Sequence, residues 1–427
     1  MNYINLCSPK TLITIIALWA PQYTLTNNQV TPKTITIANM TLSEKVGQLM
    51  MVNFHGETAN ATALKLIQDL KIGGIIYYNW ANGLTNPEQV QRLSIDLQRL
   101  ASHTHLKIPL LIAVDQEGGK VERCPITKFP GNQALGLTNN PELAKTSAQI
   151  IGQELKALNI NTNLAPVVDI NSNPLNPVIN SRSFGDTPEL VAIFGAQALA
   201  GYHTVGIITT LKHFPGHGDT ITDSHLDLPV VNKSLAELQA IELYPFTQLA
   251  NQTDMIMTAH ILVPALDPNY CTTLSRKTLI YLREKINFQG VIITDSLVMA
   301  GVLKQTNQSV AEAAIQALIA GHDIVLLGGR QLMGAFLNKE LTLADIQHVQ
   351  QAIIHAVKSG RISETQIDQA VERVLTLKQK YLTLTPSLAN LTNCIDTLEH
   401  RALAVEISTN ANNNTKFKLI ANPGAQL

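Results

Sequence analysis

Fourteen consecutive residues, Lys212-His213-Phe214-Pro215-Gly216-His217-Gly218-Asp219-Thr220-Ile221-Thr222-Asp223-Ser224-His225, gather three histidines, two aspartates and two glycines directly after a short apolar run. That composition suits an active-site loop. The preceding residues 206–211 are β-branched and short enough for a buried strand, and Gly216 and Gly218 permit turns that a Cβ obstructs. Asp223 and His225 stand two positions apart. At that spacing a carboxylate can bond one imidazole nitrogen, fix the tautomer and leave the other nitrogen for proton transfer. On chemistry alone the alternatives are a metal site, since histidine and aspartate are both ligands, or a solvated polar turn. A second candidate is Asp295, which follows the strand-forming run Val291-Ile-Ile-Thr294. There a carboxylate projects from the end of a buried strand; the bland alternative is a cap on the next helix.

These groups need elements to hold them. Candidate strands are 48–54, 74–78, 110–114, 163–168, 206–211, 255–259, 291–294 and 323–327, and helical apolar spacing occupies 87–100, 141–158, 187–203, 235–250 and 310–320. Eight strands alternating with helices predict a (β/α)8 TIM-type barrel, whose catalytic groups collect at the carboxyl ends of the strands. Asp115, Asp169, Lys212, His213, His260 and Asp295 each fall at or just past such an end. An open doubly wound sheet has the same alternation and stands as the alternative architecture.

The loop as a whole resembles the acid/base loop of family 3 glycoside hydrolases, in the branch of bacterial β-N-acetylglucosaminidases (β-N-acetylhexosaminidases). There the motif runs Lys-His-Phe-Pro-Gly-His-Gly, a few residues, then Asp-Ser-His. The resemblance implies that His225 is the general acid/base, Asp223 its partner, and Lys212 and His213 sugar ligands. Residues 288–299, Phe288-Gln-Gly290-Val-Ile-Ile-Thr-Asp295-Ser-Leu-Val-Met299, are similar to the nucleophile segment of that family, which implies a nucleophilic Asp295. Val114-Asp115-Gln-Glu117-Gly-Gly119-Lys-Val-Glu-Arg123 resembles its sugar-binding turn, giving Asp115 and Arg123. Asn176-Pro-Val-Ile-Asn180-Ser-Arg182-Ser-Phe184-Gly185 resembles the segment with a further sugar-contacting arginine, Arg182, although Asn180 stands where the family more often has glycine. His260 suits either the site or a structural role. The resemblance covers about residues 40–382.

It implies a retaining exo-β-N-acetylglucosaminidase that releases terminal β-linked N-acetylglucosamine by double displacement, acting on peptidoglycan fragments or chitooligosaccharides, with no metal or organic cofactor. Three alternatives stay open. One is a β-glucosidase of the same family. Another is a phosphorylase, since a neutral imidazole does not repel an anionic acceptor. The third is a non-catalytic carbohydrate-binding protein.

Composition is compatible with these readings. The chain has 427 residues, 45% of them hydrophobic, enough to bury a large core; 31 basic against 32 acidic residues leave no basic stripe for nucleic acid or anionic membrane. Cys7, Cys124, Cys271 and Cys394 form no Cys-x-x-Cys pair, so neither a zinc site nor a disulfide framework is indicated. Lys10 precedes an apolar stretch at 11–20 that is too short for a bilayer span and resembles a signal-peptide core. Residues 1–35 are therefore expected to be signal peptide and linker, with a periplasmic or secreted mature protein; without a working signal the protein is cytoplasmic. Residues 36–382 are expected to form the catalytic barrel. Residues 383–427 are expected to be a linker and truncated remnant of a second domain, loosely ordered or draped over the barrel, because His400-Arg-Ala-Leu-Ala-Val-Glu406 resembles the opening of the α/β sandwich of longer family members.

Overall fold

A computed structural model describes residues 37–224, 226–307, 309–330, 339–384 and 388–421. The expected signal segment and His225 lie outside the described residues. Eight parallel strands form the centre: β1 Met50–Val52, β2 Gly74–Ile76, β3 Leu111–Val114, β4 Thr162–Asn163, β5 Ile208–Phe214, β6 Met255–Thr258, β7 Val291–Thr294 and β8 Val325–Leu326. Each pairs with its sequence neighbour, β1 also pairs with β8, and a bridge between Ile293 and Ile324 joins β7 to β8. The predicted (β/α)8 barrel is therefore present, and the doubly wound sheet is not. Every residue of the eight strands is buried, as expected when a parallel sheet is covered by side chains inside and helices outside.

The helices begin where the sequence places caps. Asn86 and Asn140, each followed by Pro and Glu, accept backbone N–H bonds from Gln89 and Glu142 at the starts of Pro87–Ser102 and Pro141–Ala157. Proline at the first helical position loses no bond, because that N–H has no partner within the helix. Pro188–Thr204 begins with the same proline placement. All five predicted helical stretches are helical, the 235–250 stretch as two short helices, Leu235–Ala240 and Tyr244–Leu249.

Only β7 keeps its predicted bounds, and two strands differ from prediction most. β4 pairs only through Thr162 and Asn163, whereas 163–168 was expected. Pro166 has no N–H for the ladder, and the chain continues beside β5 through Val168 N–H to the Lys212 carbonyl. β5 runs to Phe214, three residues beyond its predicted end, so Lys212 and His213 belong to the strand itself and do not open a loop.

The 383–427 segment, expected as a linker remnant, contains the helix Leu398–Ala421. Ile407 and Ala411 are buried along it, Asn414 donates to the carbonyls of Leu137 and Thr138, and His400 Nδ1 lies 2.6 Å from Glu154. Glu154, fully buried in Pro141–Ala157, also accepts from the Thr127 backbone and hydroxyl and from the Asp396 backbone. One carboxylate thus ties this helix to the barrel wall. No helix among the described residues is long and apolar enough to cross a membrane.

Candidate active site

The carboxyl ends of β3, β4, β5 and β7 converge on a pocket of about 180 Å³ lined by Asp115, Glu117, Arg123, Arg182, Lys212, His213, Asp295 and their neighbours. Its floor is a charge cluster. Lys212 Nζ lies 2.7 Å from Asp115 Oδ1 and 2.7 Å from Glu117 Oε1, and Arg182 donates to both oxygens of Glu117 at 2.9 and 2.8 Å. Burial alone raises a carboxylate's pKa, but the Arg182 and Lys212 cations outweigh it and hold Glu117 well below the usual range. Burial likewise disfavours charged Lys212, yet Asp115 and Glu117 keep its pKa above the ordinary value. The lysine is a fixed cation whose position is set by two carboxylates.

A second layer positions His213. Its Nδ1 lies 2.7 Å from Asp169 Oδ2 and its Nε2 lies 3.3 Å from Arg182 Nη2. Arginine only donates, so Nε2 accepts and the Nδ1 proton goes to Asp169. Asp169, fully buried, also accepts from the backbone N–H groups of His213 and His217. Burial pushes the His217 pKa down to about 4, so this ring is neutral; it bridges the hydroxyls of Thr220 and Ser224 at 2.9 Å each. That bridge pins the loop after β5. Gly218 packs so tightly that a Cβ there would sit 1.6 Å from the Ile170 carbonyl. Ser224 itself lines the pocket, and its carbonyl accepts from Gly301. The chain bearing Asp223 therefore folds over the cavity. Asp223, half-buried, turns the backbone by accepting from the N–H groups of Leu226 and Asp227 through its carbonyl.

Asp295 stands at the end of β7, half-buried, with its backbone N–H on the Thr258 carbonyl and its Oδ1 accepting from Ser296 N–H at 2.7 Å. Ser296 Oγ donates to the Gly328 carbonyl beyond β8, which fixes the backbone beside the carboxylate. Tyr78 flanks this side: burial, then Asp115 and Asp295, push its pKa well above the usual value. Its ring stacks on Trp80 at 5.0 Å, and Arg330 lies over Trp80 at 4.1 Å. Among the described residues, no group of three or more histidine, cysteine, aspartate or glutamate side chains is placed to hold a metal ion.

Residues 41–377 match the model of the glycosyl hydrolase family 3 N terminal domain. The chain belongs to glycosyl hydrolase family 3. A relative in Pseudoalteromonas piscicida, beta-hexosaminidase A, is 35% identical over 86% of this chain, which spans 66% of that protein's length. Beta-hexosaminidase of Pseudomonas aeruginosa is 32% identical, with 70% of this chain and 86% of that protein aligned. A family 3 beta-N-acetylglucosaminidase structure from Paenibacillus sp. str. FPU-7 superposes with a TM-score of 0.80 at 42% identity, covering 87% of this chain and 69% of that one.

For this family 3 barrel, seven of the eight sequence-derived site residues are described: Asp115, Arg123, Arg182, Lys212, His213 and Asp295 line the one pocket, and Asp223 lies beside its Ser224 wall. His260 takes the structural reading. It is fully buried, with Nε2 on the Ser296 carbonyl and Nδ1 on the Thr273 hydroxyl, both at 2.8 Å. Asn180 adopts φ +38°, the left-handed region that asparagine tolerates better than other non-glycine residues, so it can replace glycine in that turn. The fold adds Glu117, Asp169 and His217 to the site: Asp169 follows a predicted strand and the other two lie within the segments 114–123 and 212–225, but only the folded chain brings them to Arg182, Lys212 and His213.

Proposed function

We propose that this chain is a retaining exo-β-N-acetylglucosaminidase acting on terminal β-linked N-acetylglucosamine. Supporting this reading above all is the placement of Asp295 at the end of β7 in the same small pocket as the Lys212, Asp115, Glu117 and Arg182 cluster. A single carboxylate facing a dense set of hydrogen-bonding groups suits one sugar ring held by its hydroxyls. Lys212, Arg123 and Arg182 donate to sugar oxygens and Asp115 accepts from hydroxyls, while His213 is held in one tautomer by Asp169. Asp295 attacks the anomeric carbon and His225, oriented by Asp223, protonates the departing oxygen. His225 then takes a proton from the water that releases the sugar. The names of the aligned relatives, beta-hexosaminidase and beta-N-acetylglucosaminidase, agree with this substrate.

The test is hydrolysis of a chromogenic N-acetylglucosaminide against the matching glucoside. A kcat/KM preference for the N-acetylated sugar supports the proposal; preference for the glucoside, or no turnover of either, overturns it. Cell-wall fragments as natural substrate and export directed by residues 11–20 are parts of the same proposal. Fractionation of cells expressing the chain tests the second, with activity confined to the cytoplasm as the contrary result.

A further inference from the structure

A larger cavity, about 490 Å³, opens at the opposite end of the barrel, beneath the starts of β7 and β8. Its walls are the helix Arg276–Ile280 with the π-helix Tyr281–Lys285 that continues it, the end of the helix Val310–Ala320, and the start of the helix Glu364–Tyr381. Four arginines line it: Arg276, Arg283, Arg361 and Arg373. Among the described residues the lining contains one carboxylate, Asp323, which is fully committed: Oδ2 accepts from Arg283 at 2.6 Å and from Ile292 N–H at 2.8 Å, and Oδ1 accepts from Arg373 at 2.9 Å. Arg361 pairs with Glu312 on the neighbouring helix at 2.7 Å. Even counting Glu312, four guanidinium groups face two carboxylates, an excess of two positive charges.

Arg276 is the least engaged of the four. Among the described residues its one hydrogen bond is a long contact of 3.4 Å from Nη1 to the Ile319 carbonyl, and it has no ion pair. Each guanidinium carries five donors in a planar fork that matches phosphate oxygens. A structural network accounts for Arg283, Arg373 and Asp323, which brace the π-helix Tyr281–Lys285 before β7. It does not account for Arg276, and Arg361, held at two points by Glu312, spends only two of its five donors there; both arginines are exposed and line the same space.

We propose that this cavity binds a small phosphomonoester, its dianionic group held between Arg276 and Arg361 with Arg373 behind. The volume falls in the range of roughly 300–1,000 Å³ typical of small-molecule sites and far exceeds one inorganic phosphate. The ligand is therefore a phosphate carrying a sugar-sized polar body, for which Gln366 and Gln369 in the wall supply partners. The site is remote from Asp295, at the amino rather than the carboxyl ends of the strands, and does not depend on the activity proposed above.

Titration calorimetry of the intact chain with a hexose 6-phosphate, the unphosphorylated hexose and inorganic phosphate tests it. Saturable one-to-one binding of the hexose 6-phosphate is expected, tighter than inorganic phosphate, with none for the unphosphorylated sugar. The double variant Arg276→Gln, Arg361→Gln should weaken binding by about tenfold or more, since each charged hydrogen bond lost costs on the order of a factor of ten. Both positions are exposed, so an unchanged melting curve without ligand is expected for that variant. Glu312→Gln releases Arg361 and should tighten binding severalfold. Absence of binding, equal affinity in the double variant, or inorganic phosphate binding as tightly as the hexose phosphate each overturns the proposal.

Discussion

Glu117→Gln should damage this protein more than its modest chemistry suggests. The substitution preserves shape and removes one negative charge from between two buried cations. Lys212 and Glu117 side chains are each 2% exposed and Arg182 is 16% exposed, so water cannot replace the lost charge. Breaking a buried pair while leaving its partners in place costs about 3–5 kcal/mol, and Lys212 retains only Asp115. At about 2.1 cal/mol/K per residue, unfolding a 427-residue chain carries an entropy near 0.9 kcal/mol/K, so the melting temperature should fall by about 3–6 °C. Activity should fall further. Arg182 and Lys212 lose the group that aims them, and a misplacement of about 1 Å costs on the order of 10² in rate. Calorimetric melting of both proteins, with kcat/KM on a chromogenic N-acetylglucosaminide, gives both numbers. A melting temperature within 1 °C of wild type together with undiminished kcat/KM refutes the view that Glu117 organises the pocket.

Other expectations follow from the same geometry. His225→Ala should lose about 10²–10⁴-fold on a disaccharide and far less on a nitrophenyl glycoside, because a good leaving group needs little protonation; equal losses on both contradict the acid role. His217 has its pKa lowered from 6.5 to about 4, so the unfolded chain binds the extra proton first as pH falls. Its stabilisation is complete above pH 6.5 and declines towards pH 4 by about 3 kcal/mol in total. Urea unfolding from pH 7 to 4 should show a shallower loss in His217→Asn than in wild type, and identical slopes count against a buried neutral imidazole. Gly218→Ala places a methyl group on the Ile170 carbonyl and should cost about 1–3 kcal/mol with displacement of the loop after β5; an unchanged melting temperature and rate contradict the packing described.

What the sequence revealed and what it hid have physical causes. The barrel was legible because parallel strands buried on both faces read as continuous apolar runs, of which 291–294 is the clearest, ending in a polar residue that points to the site. Strand lengths were less legible. An apolar criterion ended β5 at Leu211, yet Lys212 and His213 extend it because carboxylates from β3 and β4 segments satisfy their polar atoms inside the barrel. Those partners lie 44 to 97 positions away in sequence, so no local spacing announces them. Glu117 was hidden for the same reason: its acidic turn reads as ordinary surface until Arg182 and Lys212 are brought to it. The helix Leu398–Ala421 escaped because its buried positions, among them Ala404, Ile407 and Ala411, are mostly small, whereas Leu398 and Val405 face solvent.

The covalent step is the core of the account, and trapping it is the most direct measurement. Incubation with a slow fluorinated N-acetylglucosaminyl donor, tryptic digestion and mass spectrometry should place one sugar adduct on the peptide 286–304, with fragmentation locating it at Asp295. An adduct on another carboxylate such as Asp115, or full inactivation with the 286–304 peptide unmodified, would contradict the assignment of Asp295 as nucleophile.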